Sequence, residues 1–191
     1  MRKQQYIVQL NHKDEKFLTV LKSSQHISRE TALGIVSPNR LRNYQQQGII
    51  KKLHYIEKGV QKTAYELTPK GRTFYRQHYQ GSSNFYQSST AVRHNVRLAD
   101  EIVRHHNTWV NERDLRQELM EQIERLPPER RFELLSRLER GEISLPDGAY
   151  RGEQGELICV EIINSNYGTE QIVAKEAAAE ILGASLDFVR H

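Results

Sequence analysis

The chain has 191 residues, of which 37% are hydrophobic and 27% charged, and its mean hydropathy is −0.72. This composition predicts a soluble, cytoplasmic protein of one or two domains, because no apolar run is long enough to cross a bilayer and no signal-peptide pattern follows Met1. The single cysteine, Cys159, excludes an internal disulfide framework and a multi-cysteine zinc site.

The net charge of +4 conceals a concentration of basic residues in the first half of the chain. Residues 1–90 hold 15 Lys and Arg against 5 Asp and Glu, whereas residues 91–191 hold 13 against 19. A basic domain gains affinity for a polyanion by displacing condensed counterions, so we expect the first half to bind nucleic acid. A basic surface that serves only solubility is the alternative.

Three helices are predicted at the start of the basic half. Apolar residues recur at helical spacing over residues 12–23, and Ser28 is a typical N-cap for a second helix over SRETALGIV. Ser37 and Pro38 combine an N-cap with a proline at the first helical position, and Gly48 ends this third helix.

The third helix carries polar side chains opposite an apolar face that contains Leu41 and Tyr44. Arginine can bind guanine through two hydrogen bonds, and asparagine or glutamine can bind adenine in the same way. The residues expected to contact base edges and phosphates are Ser37, Asn39, Arg40, Arg42, Asn43, Gln46 and Gln47. The solvated face of a protein–protein module is the alternative.

A basic hairpin follows the third helix. The run IIKKLHYIEKGVQKTAYELT contains two β-rich segments separated by the polar turn EKGVQK, and Thr68 and Pro69 then begin another helix. Lys58, Gln61 and Lys62 are expected at the tip of the hairpin. Together with Lys51 and Lys52 on its first strand, they complete the predicted DNA-binding residues.

Three helices, a basic hairpin and a further helix predict a winged helix-turn-helix domain over residues 1–80. The run AYELTPKGRTFY closely resembles the wing strand and following helix of winged-helix regulators. The resemblance implies that the helix from Ser37 to Gln47 enters the major groove and that the wing from Lys58 to Lys62 contacts the backbone or the minor groove. Helix-turn-helix proteins often bind palindromic sites as dimers, so we also expect a homodimer.

A stretch rich in Ser, Gln, Asn and Gly predicts a linker at residues 81–90. For residues 91–191 we expect helices over AVRHNVRLADEIVRHH and LPPERRFELLSRLERG, and between them WVNERDLRQELMEQIERL predicts a strand end that runs into another helix. The strands SLPDGAYR, LICVEII and SLDFVR follow, with a helix that Gly183 ends before the last of them. This order predicts a small α/β domain with helices around a sheet, and a mixed α/β (α+β) class for the whole chain.

Three acidic residues of this domain lie within the predicted helices and strands or next to their ends, and they are candidate residues of a metal-dependent site. Glu112 stands near a helix start, Asp147 follows a proline, and Glu161 lies within an apolar strand. A charge in such a strand needs a partner, which is either a metal ion or a cationic side chain. A common Pro-Asp-Gly turn and a salt-bridged glutamate are the alternatives to a metal site.

The acidic pattern resembles the restriction-endonuclease-like PD-(D/E)XK fold. The resemblance implies that Asp147 and Glu161 hold Mg²⁺, which polarises the scissile phosphate and activates water, with support from Glu112 and a lysine. Ile163 occupies the expected lysine position, and Lys175 on the next helix is the one candidate replacement. We therefore favour a non-catalytic domain without a cofactor and leave an Mg²⁺-dependent enzyme open.

Together with the basic domain, the runs RHNVRLADEIV, WVNERDLR, LPDGAY and CVEII resemble the replication-relaxation family of plasmids and mobile elements. The resemblance implies a sequence-specific protein that binds double-stranded DNA and assists replication or transfer. Its acidic domain is expected to dimerise or to recruit a replication protein or a relaxase. Two alternatives stay open: a DNA endonuclease or nickase that uses Asp147 and Glu161, and a transcriptional repressor.

Overall fold

A computed structural model describes residues 9–79, residue 85 and residues 91–190. Apart from Phe85, the linker predicted at residues 81–90 lies outside these residues. The chain divides into two units, Met1–His106 and Asn107–His191, and it combines helices with two separate sheets, as expected for a mixed α/β protein. Within the described residues, no helix is long and apolar enough to cross a membrane.

The first unit, over its described residues, contains five helices and a three-stranded sheet. Its elements in chain order are α1 (His12–Ser24), β1 (His26–Ser28), α2 (Arg29–Ile35), α3 (Pro38–Gln46), β2 (Ile50–Glu57), β3 (Val60–Leu67), α4 (Pro69–His78) and α5 (Val92–Arg104). The strand order is β1-β3-β2, and both pairings are antiparallel.

Hydroxyl side chains cap three helices of the first unit, as the sequence predicts. Each hydroxyl oxygen accepts a hydrogen bond from a backbone N–H in the first turn: Ser28 from Thr31, Ser37 from Arg40, and Thr68 from Gly71. Pro38 and Pro69 follow two of these caps, at positions where the missing N–H removes no helical hydrogen bond. Local chemistry is therefore sufficient to determine where these helices begin.

A buried carboxylate joins α1 to α3. Asp14 is 1% exposed, and its Oδ1 accepts hydrogen bonds from Arg40 Nε at 2.7 Å and from the Tyr44 hydroxyl at 2.8 Å. Its Oδ2 accepts from Arg40 Nη2 at 2.5 Å and from the Asn11 N–H at 2.9 Å. Burial acts to raise the pKa of the Asp14 carboxyl, but the hydrogen bonds from Arg40, Asn11 and Tyr44 hold it below its usual value.

Two elements of the first unit differ from the sequence-based expectation. The strand β1 has only three residues, which is too short for an alternating pattern to reveal it. The helix α5 lies in the first unit, although we expected the second domain to begin at residue 91. It packs there through polar contacts: the Asn95 amide lies 2.9 Å from His26 Nδ1, and Asp100 accepts a hydrogen bond of 2.6 Å from Thr31.

The second unit is built around a four-stranded sheet. Its elements are β4 (Trp109–Asn111), α6 (Glu112–Glu124), α7 (Pro128–Glu139), β5 (Gly148–Arg151), β6 (Leu157–Ile163), α8 (Thr169–Leu182) and β7 (Ser185–Arg190). The strand order is β4-β5-β6-β7, with antiparallel pairing except between β6 and β7, which are parallel. A parallel pair needs a crossover connection, and α8 provides it.

The core of the second unit lies between its helices and the sheet. Leu115, Leu119 and Ile123 of α6 pack there with Ala178 and Ala179 of α8. Cys159 of β6 is fully buried among them, and this burial raises the pKa of its thiol to about 11. A thiol in this environment is structural.

We predict that Asp14→Ala lowers the free energy of unfolding by about 3 kcal/mol, because it leaves the Arg40 guanidinium and the Tyr44 hydroxyl without their buried partner. Urea titration followed by circular dichroism measures this loss. Glu15→Ala, on the exposed side of the same helical turn, is the matched control and should change stability by less than about 0.5 kcal/mol. Equal effects of the two substitutions would contradict the role assigned to Asp14.

The lowered pKa of Asp14 predicts how the contribution of this residue to the free energy of unfolding changes with pH. The stabilisation should be complete above the pKa of about 3.9 that an aspartate has in the unfolded chain, and it should be lost as the pH falls further towards the folded-state pKa. The difference in unfolding free energy between the wild-type protein and Asp14→Asn should therefore shrink as the pH falls below about 4. A difference that stays constant between neutral and acidic pH would show that the carboxylate charge is not involved.

Candidate functional site

The exposed side of α3 carries four of the residues expected to contact DNA. These residues are Asn39, Arg42, Asn43 and Gln46, and all four are exposed. Leu41 and Tyr44, which we expected to face the core, are 4% and 0% exposed. The division of α3 into an apolar buried side and a polar exposed side therefore agrees with the sequence-based expectation.

Three other residues of the expected set have structural roles. The guanidinium of Arg40 binds the buried Asp14 carboxylate, and the hydroxyl of Ser37 caps α3. Gln47, the C-cap residue of the helix, is 7% exposed. The sequence pattern grouped these residues with their neighbours because the partner of Arg40 lies 26 residues away in the chain, where helical spacing gives no information about it.

The turn of the β2–β3 hairpin is tighter than expected. Glu57 pairs with Val60, so the turn consists only of Lys58 and Gly59, whose φ angles are +49° and +77°. Gln61 and Lys62 therefore lie on β3 and not in the turn. The Lys62 ammonium donates a hydrogen bond to the Glu57 carboxylate across the hairpin.

Three exposed cations on α3 and the hairpin remain available to an anionic ligand. Lys51 of the expected set forms an ion pair of 2.6 Å with Glu66 on the neighbouring strand. Arg42, Lys52 and Lys58 are exposed and form no salt bridge within the part of the chain that the structure describes. We call these three cations, together with Asn39, Asn43 and Gln46, the α3–hairpin set.

In the second unit, the fold brings Asp147, Glu161 and Lys175 together. Glu161 is 4% exposed, and its Oε2 lies 3.1 Å from Lys175 Nζ and accepts a 3.0 Å hydrogen bond from the Asp147 N–H. Its Oε1 accepts a 2.6 Å hydrogen bond from the Tyr167 hydroxyl. Tyr167 could not be predicted from the sequence, because it precedes α8 in a segment without a periodic pattern.

The register of the sheet explains how the two carboxylates meet. Gly148 of β5 pairs with Val160 of β6, so Asp147 and Glu161 occupy the next facing positions. Asp147 Oδ2 also accepts a 2.9 Å hydrogen bond from the Ile162 N–H. Burial and the neighbouring Asp147 raise the pKa of Glu161 above its usual value, although Lys175 and Tyr167 act in the opposite direction.

Lys175 reaches this cluster from α8. Its Nζ donates a 2.5 Å hydrogen bond to the Leu145 carbonyl in addition to its ion pair with Glu161. Lys175 thus brings a cation to Glu161, which Ile163 at the expected lysine position cannot do.

Glu112 does not bring its side chain into the cluster. It follows β4 directly, and because Asn111 of that strand pairs with Gly148, its backbone lies at the same end of the sheet as Asp147. Its carboxylate, however, forms an exposed ion pair of 3.0 Å with Arg116 on α6. Only two of the three predicted carboxylates therefore meet.

The residues of this cluster do not fit a Mg²⁺ ion. Mg²⁺ keeps several water ligands and needs open access, whereas Glu161 is almost inaccessible and its oxygens already accept hydrogen bonds from Tyr167, Lys175 and the Asp147 N–H. Among the described residues, no group of three or more His, Cys, Asp or Glu side chains could hold a metal ion. The Lys175 ammonium supplies the positive charge that this buried carboxylate requires.

Comparison of the chain with protein-family models, with curated proteins and with solved structures found no match. These comparisons assign no family to the chain. The resemblance to replication-relaxation proteins and to the PD-(D/E)XK fold therefore stays a prediction.

We predict that Glu161 and Lys175 depend on each other for their contribution to stability. In a double-mutant cycle with Glu161→Gln and Lys175→Met, the coupling energy should be about 2 kcal/mol, because either single substitution leaves a buried charge without its partner. Guanidinium chloride unfolding of the four proteins measures it. The same cycle at the exposed pair Glu112 and Arg116 is the control and should give about 0.5 kcal/mol or less. Equal coupling at the two sites would contradict the buried ion pair.

Proposed function

We propose that the first unit binds double-stranded DNA sequence-specifically, and that the second unit is non-catalytic and joins this activity to an assembly for replication or transfer. The observation that carries the proposal is the spacing of the exposed residues on α3. Asn39, Arg42, Asn43 and Gln46 follow the pattern i, i+3, i+4, i+7, which places all four on one face of the helix.

The chemistry of this face suits base edges in the major groove. An asparagine or glutamine amide can bind adenine through two hydrogen bonds, and an arginine can bind guanine in the same way. An α-helix with its side chains is about 10–12 Å in diameter, which matches the width of about 12 Å of the major groove. Lys52 and Lys58 on the adjacent hairpin supply charges for phosphate contacts.

The charge of the first unit supports a polyanionic ligand. Residues 1–106 contain 18 Lys and Arg against 7 Asp and Glu, whereas residues 107–191 contain 10 against 17. Release of condensed counterions therefore favours DNA binding by the first unit. The acidic charge of the second unit favours binding to a basic protein partner, such as a replication protein or a relaxase. Contacts within a homodimer are the other role that we propose for this unit.

We predict that Asn43→Ala and Arg42→Ala each lower affinity for a duplex that the protein selects from a random pool by about tenfold or more, as expected when a contact between a side chain and a base is removed. Fluorescence anisotropy with the labelled duplex measures the affinity. Discrimination against substituted base pairs should relax at one position for each variant.

Arg125→Ala is the matched control for this experiment. Arg125 is an exposed arginine at the C-cap of α6 in the second unit, so its removal changes the net charge equally without altering α3. Its affinity should stay within about twofold of the wild-type value, since it lies outside the proposed interface. If no sequence is selected from the pool, or if Arg125→Ala weakens binding as much as Arg42→Ala, the proposal is wrong.

A metal-dependent endonuclease is a second candidate, because Asp147, Glu161 and Lys175 lie together in the second unit. Incubation with supercoiled plasmid and Mg²⁺ or Mn²⁺ tests it. Because the residues of this cluster do not fit a metal ion, we predict that the protein does not nick the plasmid. Nicking that Asp147→Ala abolishes, and that Asp114→Ala at the exposed start of α6 preserves, would establish the endonuclease instead.

A further inference from the structure

The outer face of α7 carries the most exposed large hydrophobic side chain of the described residues. Phe132 is 75% exposed, compared with 59% for Ile56 and Val60 and 53% for Val173. Aromatic side chains are enriched in protein interfaces, where burial of the ring contributes strongly to affinity. The exposed ring of Phe132 is therefore a candidate contact with another molecule.

Acidic side chains surround Phe132 on α7. At about 100° per residue, Glu129 and Glu139 lie within about 60° of Phe132 around the helix axis. Glu133 lies about 100° from it and is paired with Arg130 at 2.6 Å. Glu129 and Glu139 are exposed and form no salt bridge within the part of the chain that the structure describes. The projecting ring is thus flanked by negative charge.

A groove lies between α7 and α8 on another side of α7. Its volume is about 250 Å³, and a cavity of about 150 Å³ is enough to hold a benzene ring. Residues of three helices line it, and its apolar side chains are Leu126, Leu134, Ala177 and Ile181. The groove therefore has the size and the surface to hold an aromatic side chain.

Arginine side chains give the rim of this groove positive charge. Arg130 and Arg137 line it from α7, and Glu180 lines it from α8. Arg137 lies 3.6 Å from the Glu142 carboxylate, which also accepts a hydrogen bond of 2.6 Å from Arg140. One carboxylate is thus shared by two guanidinium groups, and the rim suits an apolar group that acidic side chains accompany.

We infer that the α7–α8 groove binds the Phe132 side chain of a second copy of the chain. The inference rests on the homodimer role proposed for the second unit, and it names the surface. Charge favours this occupant, because the glutamates beside Phe132 complement the arginines of the groove. Contact between the Phe132 faces of two copies would instead bring Glu129 and Glu139 against like charges.

The positions of the ring and the groove allow a closed dimer. Arg137 lies about 140° from Phe132 around the axis of α7, so the two surfaces are on different sides of one helix. A twofold axis roughly parallel to α7 then directs the Phe132 ring of each copy towards the groove of the other. Both contacts form together, and no groove remains free to add further copies.

The variant Phe132→Ala tests the ring contact. Alanine favours helices and the ring is exposed, so the protein should remain folded, and circular dichroism checks this. We expect the Kd of the dimer of the full chain, measured by sedimentation equilibrium, to rise by about tenfold or more. Ile56→Thr removes an exposed apolar side chain of the first unit and is the matched control. It should leave the Kd of the dimer unchanged.

Charge reversal tests whether the occupant is a second copy. The groove variant is Arg130→Glu/Arg137→Glu, and the face variant is Glu129→Arg/Glu139→Arg. Each variant alone should self-associate about tenfold more weakly, because like charges meet at both contacts. An equal mixture should form a heterodimer with about the wild-type Kd, since both contacts then join opposite charges. Adding Phe132→Ala to the face variant should abolish this recovery.

The outcomes separate this inference from the functions proposed above. A wild-type protein that stays monomeric up to about 100 µM would overturn the inference and the homodimer role, but not DNA binding by the first unit. A dimer that Phe132→Ala leaves intact would overturn the groove contact alone. Charge variants that do not recover association when mixed would show that a second copy does not occupy the groove. Loss of binding to a basic protein partner by Phe132→Ala, with unchanged self-association, would assign the surface to that partner.

Discussion

The buried carboxylate of Asp14 determines how α3 is presented to solvent. A charge that is 1% exposed must be paired, and its two principal partners, Arg40 and Tyr44, both lie on α3. Rotation of α3 about its axis would separate this carboxylate from the guanidinium and the hydroxyl together. The contacts of Arg40 and Tyr44 with Asp14 hold one side of α3 against α1. The polar face that contains Asn39 and Gln46 therefore points to solvent.

In each unit a buried carboxylate pairs with a cation on a different element of secondary structure, and the two pairs have different consequences. In the first unit the Asp14–Arg40 pair orients a helix whose outer face remains exposed. In the second unit the Glu161–Lys175 pair closes the sheet end that a metal-dependent nuclease would need open. Buried ion pairs contribute little net stability compared with apolar packing, so their main effect is to select one arrangement of the elements that they join. The proposed DNA contact by the first unit and the proposed non-catalytic role of the second are both compatible with this contrast.

The sequence predicts the features of this protein that depend on neighbouring residues. Ser28, Ser37 and Thr68 begin helices because an N-cap needs only a hydroxyl and the next turn of backbone. Gly183 ends α8 with a φ of +64°, which glycine adopts without strain. The same locality explains why the exposed side of α3 could be predicted, whereas the meeting of Asp147 with Glu161 on neighbouring strands was expected only from the resemblance to the PD-(D/E)XK fold.

Features that depend on distant partners escaped the sequence analysis. The internal role of Arg40 requires a carboxylate on another helix, and α5 joins the first unit through contacts of Asn95 and Asp100 with residues about 70 positions earlier. The central claim is that α3 contacts DNA through its outer face while Arg40 stays bound to Asp14. An NMR titration with the selected duplex tests it most directly: we predict that the side-chain amide signals of Asn39 and Asn43 shift while the Nε signal of Arg40 does not. A shift of the Arg40 signal with unchanged amide signals would contradict the account.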